Sequence, residues 1–269
     1  MPSYNIMLIG CGNMGGALLD SWHDSNLIQK AQIIDPSEQV SGIKGKNQVF
    51  HVKHLSEADF EGIDICILAV KPQIMNSVCN ELTAHCDGSF AVLSIAAGKA
   101  ISTFENILGD NTPIIRTMPN TPAMVGKGFT ALIANKYVND KQRQCATELF
   151  SASGIAQWVK DEGLMDVVTA VSGSGPAYLF YFIEALTNAG IENGLEAEMA
   201  ASIARQTVIG ASALIDSQND IAPETLRQNV TSKGGTTQAG LDVLMEGGFQ
   251  EILTNTIAAA KKRSEDLAN

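Results

Sequence analysis

The spacing of hydrophobic residues divides the chain into an alternating first part and a helical second part. In the first part, short apolar runs predict strands at residues 5–10, 32–35, 64–70, 90–95, 113–116 and 128–133. A helical pattern covers residues 14–22. Continuous apolar strands separated by helical stretches are typical of a parallel sheet that is buried on both faces.

From about residue 161 onward, alanine, leucine, isoleucine and methionine recur at helical spacing. This pattern predicts helices at residues 164–171, 176–193, 196–217, 223–230, 237–245 and 249–267. Ser174-Gly175-Pro176 places a capping residue and a proline at a helix start, and Gly234-Gly235 interrupts the later helices. We therefore expect an α/β domain over residues 1–160 and an all-helical domain over residues 161–269.

Composition and charge exclude several classes of protein. The 269 residues are 45% hydrophobic and 17% charged, as in globular proteins, and the formal net charge is −11. Nucleic acids and anionic membranes attract basic surfaces, so neither is an expected partner. No apolar run reaches the ~20 residues of a membrane span, and no signal peptide is expected. The five cysteines include no CxxC pair, so we interpret them as reduced thiols of a cytoplasmic protein.

Residues 10–15, Gly-Cys-Gly-Asn-Met-Gly, match the pattern GxGxxG between the first predicted strand and the first helix. In that context the pattern indicates a Rossmann-type dinucleotide site. Gly10 allows a tight turn, Gly12 lets the backbone approach a pyrophosphate, and Gly15 lets the helix pack close to the strand. The N-terminus of the helix then faces the phosphates. The alternative is a glycine turn in a protein that binds no nucleotide.

The carboxyl ends of further strands are expected to complete the cofactor crevice. Asp35 ends the second strand, twenty residues after Gly15. An acidic side chain there accepts hydrogen bonds from ribose hydroxyls and repels a 2′-phosphate. Residues 69–72 and 95–98 are two later strand ends, and Lys71 can reach a phosphate or a ribose. The alternatives are that Asp35 only stabilises a turn and that Lys71 is only a solvated turn lysine.

Cys11 lies within the phosphate loop, where helix-terminal N–H groups can lower a thiol pKa. We interpret it instead as a residue that fills a small space. The histidines have neither the spacing of metal ligands nor that of a nucleophile triad; they are His23, His51, His54 and His85. No metal site is therefore expected.

Two glycine-rich turns in the second part are candidate anion sites. Residues 170–178 and residues 231–237 each combine glycines with hydroxyl side chains before a helix. Successive backbone N–H groups in such turns can hold a carboxylate. The hydroxyls of Thr236 and Thr237 can donate to a substrate nitrogen or oxygen. Taken alone, both turns can equally be helix caps.

Together, these motifs resemble those of one enzyme family. Residues 231–237, Thr-Ser-Lys-Gly-Gly-Thr-Thr, with Gly240-Leu241, closely resemble the signature of pyrroline-5-carboxylate reductases. Four further segments are similar to the same family, in the family's order: residues 69–73, 94–98, 116–122 and 172–178. The resemblance covers nearly the whole chain.

The resemblance implies reduction of 1-pyrroline-5-carboxylate to L-proline with NADPH or NADH. It implies a Rossmann-type doubly wound parallel sheet followed by an all-helical domain that forms a homodimer, and in some members a larger ring of dimers. The cofactor supplies the hydride and the protein supplies placement. Thr237 occupies the position of a hydrogen-bond donor to the ring nitrogen. The backbone N–H groups of Gly234, Gly235 and Thr236 would hold the substrate carboxylate.

The expected site residues form two groups. Cofactor contacts are expected from Ile9, Gly10, Cys11, Gly12, Asn13, Met14, Gly15, Asp35, Ser56, Ala69, Val70, Lys71, Pro72, Ile95, Ala96 and Ala97. Asn229, Val230 and Asp220 are expected to line the substrate pocket beside the turn at residues 234–237.

Two positions depart from the family pattern. Lys233 stands where the family usually has proline, which loosens the loop and adds a positive charge beside the expected carboxylate site. Asp35 stands where many relatives that prefer NADPH carry a small hydroxyl residue.

Two other functions fit part of the pattern. A small reductase of β-hydroxyacids or of another cyclic imine would share the architecture. The hydroxyacid type, however, needs a catalytic lysine on the first long helix of the second domain, and residues 176–193 contain none. A non-catalytic nucleotide-sensing protein would bind the cofactor without oxidising it when an imine is added.

Overall fold

The computed structural model of the chain describes residues 3–38, 40, 46 and 48–268. Within these residues a single sheet contains the strands β1 (Tyr4–Ile9), β2 (Ile28–Ile34), β3 (Val49–Val52), β4 (Ile65–Leu68), β5 (Ala91–Ser94), β6 (Ile114–Met118), β7 (Gly128–Ala134) and β8 (Gly154–Trp158). Their spatial order is β3-β2-β1-β4-β5-β6-β7-β8. The first six strands follow the Rossmann order, which reverses between β1 and β4 and creates a ligand crevice there.

The sequence locates six of these strands and the doubly wound α/β fold, and both are confirmed. It misses the short strands β3 and β8. The expectation of a wholly parallel sheet is wrong at β7, which runs antiparallel to β6. A 3-10 turn at Thr121–Val125 joins the two strands. That connection is too short for the crossover that parallel neighbours need.

Helices cover both faces of the sheet, because successive side chains of each strand point to opposite faces. The covering helices are α1 (Asn13–Asp24), α2 (Pro72–Leu82), α3 (Ile101–Leu108) and α4 (Asp140–Ser151). On one face, Leu8 belongs to a core with Trp22 of α1 and Phe150 of α4. On the other face, Met7 belongs to a core with Phe104 of α3. This arrangement leaves the carboxyl ends of the strands as the edge where loops meet.

The second part of the chain is helical, as predicted. Its helices are α5 (Met165–Val168), α6 (Gly175–Glu192), α7 (Ala197–Ser217), α8 (Pro223–Asn229), α9 (Thr236–Glu246) and α10 (Phe249–Ala268). A π-helical turn, Thr169–Gly173, separates α5 from α6. Between Trp158 and residue 268, the described chain contains no further strand. No helix in the described part of the chain has the length and hydropathy that crossing a membrane requires.

Contacts divide the chain into two compact units. The first contains the residues up to Ser174 together with Ala260 and the residues after it, and the second is Gly175–Ala259. Met165 joins the first unit because it is fully buried in the same core as Met7. The end of α10 joins it as well, and the Ser264 hydroxyl donates to Asp166 Oδ1 at 2.7 Å. The sequence predicts that residues 1–160 bind the cofactor and that residues 161–269 bind the substrate. This functional boundary stays a prediction.

Buried thiols in the first unit make its stability sensitive to alkaline pH. Burial raises the pKa of Cys79 to about 11 and that of Cys86 to about 12, and it holds the pKa of Cys66 well above its ordinary value. The folded protein therefore retains protons that the unfolded chain loses above the ordinary thiol pKa of about 8.5. We expect the thiol contribution to the free energy of unfolding to be constant below that pH and to fall above it.

Denaturant unfolding at about pH 7 and about pH 10 measures this loss on either side of the ordinary thiol pKa. Cys66→Ala removes one of the two thiols that are fully buried, so the variant should lose less stability between the two pH values than the wild-type protein. An equal loss in both proteins would show that this thiol does not contribute.

Candidate active site

A cavity of about 620 Å³ lies at the carboxyl ends of β1, β2 and β4. This is the position that the strand order gives to a ligand. The described residues that line it are Ile9, Gly10, Cys11, Gly12, Ile34, Asp35, Pro36, Lys53, His54, Leu55, Ala69, Val70, Lys71, Ile74, Ser77, Val78 and Glu81. The cavity therefore brings together the predicted phosphate loop, Asp35 and the segment that follows β4.

The phosphate loop has the geometry that its glycines predict. Gly10 has φ of +88°, and a Cβ there would lie 2.8 Å from the carbonyl oxygen of Ala69. A side chain at Gly10 is therefore excluded by conformation and by space. At Gly12, by contrast, an added Cβ would meet no protein atom within 4 Å. Gly12 caps α1, whose first residues are Asn13, Met14 and Gly15, so the open space lies beside a helix N-terminus.

Asp35 links the end of β2 to the phosphate loop. The backbone N–H of Cys11 donates to Asp35 Oδ2 at 2.8 Å, and that of Ser37 donates to Asp35 Oδ1 at 2.9 Å. The second bond is an Asx turn, so the turn role considered for Asp35 is present. Asp35 is also one of the residues that line the cavity. A role in ribose binding stays a prediction.

Cys11 fills space within this loop. The residue is 6% exposed. Burial, together with the negative charge of Asp35, raises the pKa of the Cys11 thiol to about 11. A reactive thiolate needs the opposite shift. The structure thus supports the interpretation of Cys11 as a packing residue.

The other predicted cofactor residues lie in the segments that follow β4, β3 and β5. Lys71 is the exposed N-cap of α2, and Pro72 is the first residue of that helix. Ser56 lies in the 3-10 turn Leu55–Glu57, one residue after a lining residue. Ile95, Ala96 and Ala97 follow β5.

A second, smaller cavity of about 210 Å³ lies within the first unit. Its lining residues are Ala97, Gly98, Thr169, Ser174, Ala260, Arg263, Ser264 and Leu267. The loop after β5 and the glycine-rich turn at residues 170–178 therefore meet at one place. The residues from the end of α10 were not anticipated, because nothing local in the sequence indicates where a C-terminal helix packs.

Sequence reasoning also missed Lys53 and His54, which line the first cavity. Both follow β3, and the rule that ligands bind beyond the carboxyl ends of parallel strands would have indicated them. The missing signal was the strand itself, since β3 spans only Val49–Val52.

The predicted substrate residues lie in the second unit. Gly235 caps α9, and Thr236 and Thr237 are its first two residues. Gly235 donates its backbone N–H to the Ser232 carbonyl at 3.0 Å, which closes the turn before the helix. Thr237 is exposed in the single chain.

The remaining predicted substrate residues precede this turn. Asn229 ends α8, and Val230 follows it with 64% of its surface exposed. Asp220 lies exposed between α7 and α8. Their roles stay predictions. Among the residues described, no group of histidine, cysteine and carboxylate side chains could hold a metal ion.

Comparisons with known proteins cover the whole chain. Residues 162–267 match the family model described as pyrroline-5-carboxylate reductase dimerisation, and residues 5–98 match the model described as NADP oxidoreductase, coenzyme F420-dependent. A pyrroline-5-carboxylate reductase of Pseudomonas aeruginosa is 39% identical over 271 residues, which cover 100% of this chain and 98% of that protein.

Two solved structures are similar over their full length. The pyrroline-5-carboxylate reductase of Coxiella burnetii is 33% identical with a TM-score of 0.92, over 99% of each chain. The pyrroline carboxylate reductase of Plasmodium falciparum, solved with NADP bound, is 32% identical with a TM-score of 0.83, over 100% of each chain. The matched dimerisation model supports self-association of this chain.

Proposed function

The chain belongs to the pyrroline-5-carboxylate reductase family, and we propose that it reduces 1-pyrroline-5-carboxylate to L-proline with NAD(P)H, the last step of proline biosynthesis. The observation that carries this proposal is the full-length match to enzymes of that name at 39% identity. A reductase of β-hydroxyacids or of another cyclic imine, or a nucleotide-sensing protein, fits only part of the sequence pattern.

The first cavity fits a reduced dinucleotide. Its size, the open space at Gly12 and the adjacent N-terminus of α1 suit a pyrophosphate approached by backbone N–H groups. When bound, the cofactor supplies the hydride that adds to the carbon of the C=N bond. The protein's own residues place the cofactor and the ring and supply hydrogen bonds.

Thr237 is the proposed donor to the ring nitrogen, which gains a proton as the C=N bond is reduced. A threonine hydroxyl is a weak acid, so Thr237 acts by positioning the nitrogen or by relaying a proton from water. The backbone N–H groups of Gly234 and Thr236 are proposed to bind the carboxylate, whereas the N–H predicted for this role at Gly235 donates to the Ser232 carbonyl. They lie at the start of α9, where the helix dipole favours negative charge.

We propose that the chain forms a homodimer through its C-terminal helices. A larger ring of such dimers is a second proposal. The second unit exposes large apolar side chains in the single chain, including Phe180 at 65%, Tyr181 at 68% and Val243 at 71%. Exposed apolar surface of this kind favours a protein partner. A cytoplasmic location stays a prediction.

The direct test of the activity is an assay of the purified protein with 1-pyrroline-5-carboxylate. Loss of reduced-nicotinamide absorbance should depend on the imine, and proline should appear in equal amount. Cofactor binding without imine-dependent oxidation would favour the nucleotide-sensing alternative. Oxidation that proceeds only with a β-hydroxyacid precursor or with a different cyclic imine would favour the other reductases.

Asp35 should favour NADH over NADPH, because it lines the cavity at the end of β2 and its negative charge would repel a 2′-phosphate there. We expect Asp35→Ser to raise the ratio of kcat/KM for NADPH to kcat/KM for NADH by about tenfold, which corresponds to ~1.4 kcal/mol. Parallel initial-rate measurements with both cofactors test this. An unchanged ratio would leave Asp35 with its turn role alone.

A further inference from the structure

Glu162 is not among the residues that line the cofactor cavity, and yet it holds the helix that follows loop 95–100. The first residues of this loop, Ile95, Ala96 and Ala97, are predicted to contact the cofactor. Its Oε1 accepts a hydrogen bond from the backbone N–H of Ile101 at 2.8 Å. Ile101 is the first residue of α3, and the N-cap residue, Ala100, has no side-chain oxygen to satisfy that group. Glu162 thus caps α3 from a distant part of the chain.

Arg116 fixes the position of this carboxylate. Its Nη1 donates to the same Oε1 of Glu162 at 2.9 Å. Arg116 belongs to β6 and is 4% exposed, so its charge depends on a carboxylate partner inside the protein. A carboxylate that is held by a buried guanidinium and a helix N-terminus has little freedom to move.

The start of the same loop is held by two further buried side chains. Ser94 is the last residue of β5, and its hydroxyl oxygen accepts a hydrogen bond from the backbone N–H of Ala96 at 3.2 Å. The Thr117 hydroxyl donates to the Ser94 carbonyl at 3.0 Å. Ser94 and Thr117 are each 1% exposed. Loop 95–100 is therefore held at its start by the buried Ser94 and Thr117, and at its end by Glu162, whose side chain is 32% exposed.

We propose that Glu162 and Arg116 are positioning residues of the reductase, which set the place of loop 95–100 and through it the orientation of the nicotinamide. This inference rests on the proposed function, since a reductase must hold the nicotinamide in place, and on the predicted cofactor contacts of Ile95, Ala96 and Ala97 at the start of the loop. Hydride transfer depends steeply on the distance and angle between donor and acceptor carbons. If loop 95–100 were free to shift, the rate of hydride transfer would fall even in a protein that stays folded at the assay temperature.

Two variants and a matched control test this role. Glu162→Ala removes the acceptor for both partners, and Glu162→Asp keeps the charge but draws the carboxylate back by one methylene. Glu148→Ala is the control: Glu148 accepts a hydrogen bond from the Tyr4 hydroxyl at 2.8 Å, and Tyr4 lies in the core of the opposite face of the sheet. Melting curves show whether each variant is folded at the assay temperature.

We expect Glu162→Ala to lower kcat by about tenfold or more, as for a misplaced reacting group. Its deuterium isotope effect with 4-deuterated NADH should rise, because hydride transfer becomes more rate-limiting. Glu162→Asp should show the same changes to a smaller extent, and it decides the question if the alanine variant does not fold. Glu148→Ala should keep the wild-type kcat and isotope effect. Wild-type values in folded Glu162→Asp and Glu162→Ala would overturn the proposal.

The fluorescence of bound NADH gives a readout that needs no turnover. A displaced nicotinamide should change the emission of NADH bound to the Glu162 variants but not of NADH bound to Glu148→Ala. If the wild-type protein binds NADH but does not reduce the imine, the proposed function fails while this comparison still decides the positioning role. Identical emission from all the proteins would contradict that role.

Discussion

Gly12→Val should abolish cofactor binding while the protein stays folded. Gly12 has φ of −74°, which a valine tolerates, and an added Cβ would meet no protein atom within 4 Å. The new side chain would instead fill the space proposed for the pyrophosphate. We expect the Kd for NADH to rise by about 100-fold or more, which corresponds to ~2.7 kcal/mol. Fluorescence titration measures the affinity for NADH, and a melting curve shows whether the variant is folded.

Gly210→Val is the matched control for this substitution. Gly210 lies on α7, and a Cβ there also meets no protein atom within 4 Å. The control should bind NADH with wild-type affinity. A wild-type Kd in folded Gly12→Val would mean that the pyrophosphate does not lie against this loop.

Thr237→Ala should lower kcat by about ten- to a hundredfold and change KM much less. A single net hydrogen bond is worth about 0.5–1.5 kcal/mol, and a general acid typically contributes about 100- to 10,000-fold. The expected loss lies between these limits because water can still supply the proton. An interaction that strengthens in the transition state appears in kcat rather than in KM. Steady-state kinetics with varied imine concentration separate the two constants.

Thr236→Ala provides the neighbouring control, since Thr236 is proposed to act through its backbone N–H. Its kcat should stay close to the wild-type value. Full activity in Thr237→Ala would remove this hydroxyl from the mechanism, whereas an equal loss in both variants would point to a general disturbance of α9.

Much of the first unit was predictable because its signals are local. The apolar run of β4 and the glycines after β1 each define an element or a turn within a few residues of sequence. Two strands escaped prediction for physical reasons. β3 spans four residues, and β8 has no continuous apolar run, with Ile155 63% exposed.

The contacts that support the site were not predictable, because they join distant parts of the chain. Arg116 and Glu162 are 46 positions apart, and nothing in either local sequence identifies the partner. The packing of Met165 against the sheet is of the same kind. For the substrate turn, the sequence predicted a helix start at residue 237, one residue after the observed start at Thr236, because the glycines and hydroxyl side chains before the helix are a local signal.

Transfer of deuterium from the cofactor to proline is the decisive test of the proposed reduction. The purified protein is mixed with 1-pyrroline-5-carboxylate and NADH deuterated at the transferable C4 position, and the product is examined by mass spectrometry and NMR. We expect L-proline that carries one deuterium, at the δ carbon that belonged to the C=N bond. Unlabelled proline, or no proline while deuterated NADH remains intact, would contradict it.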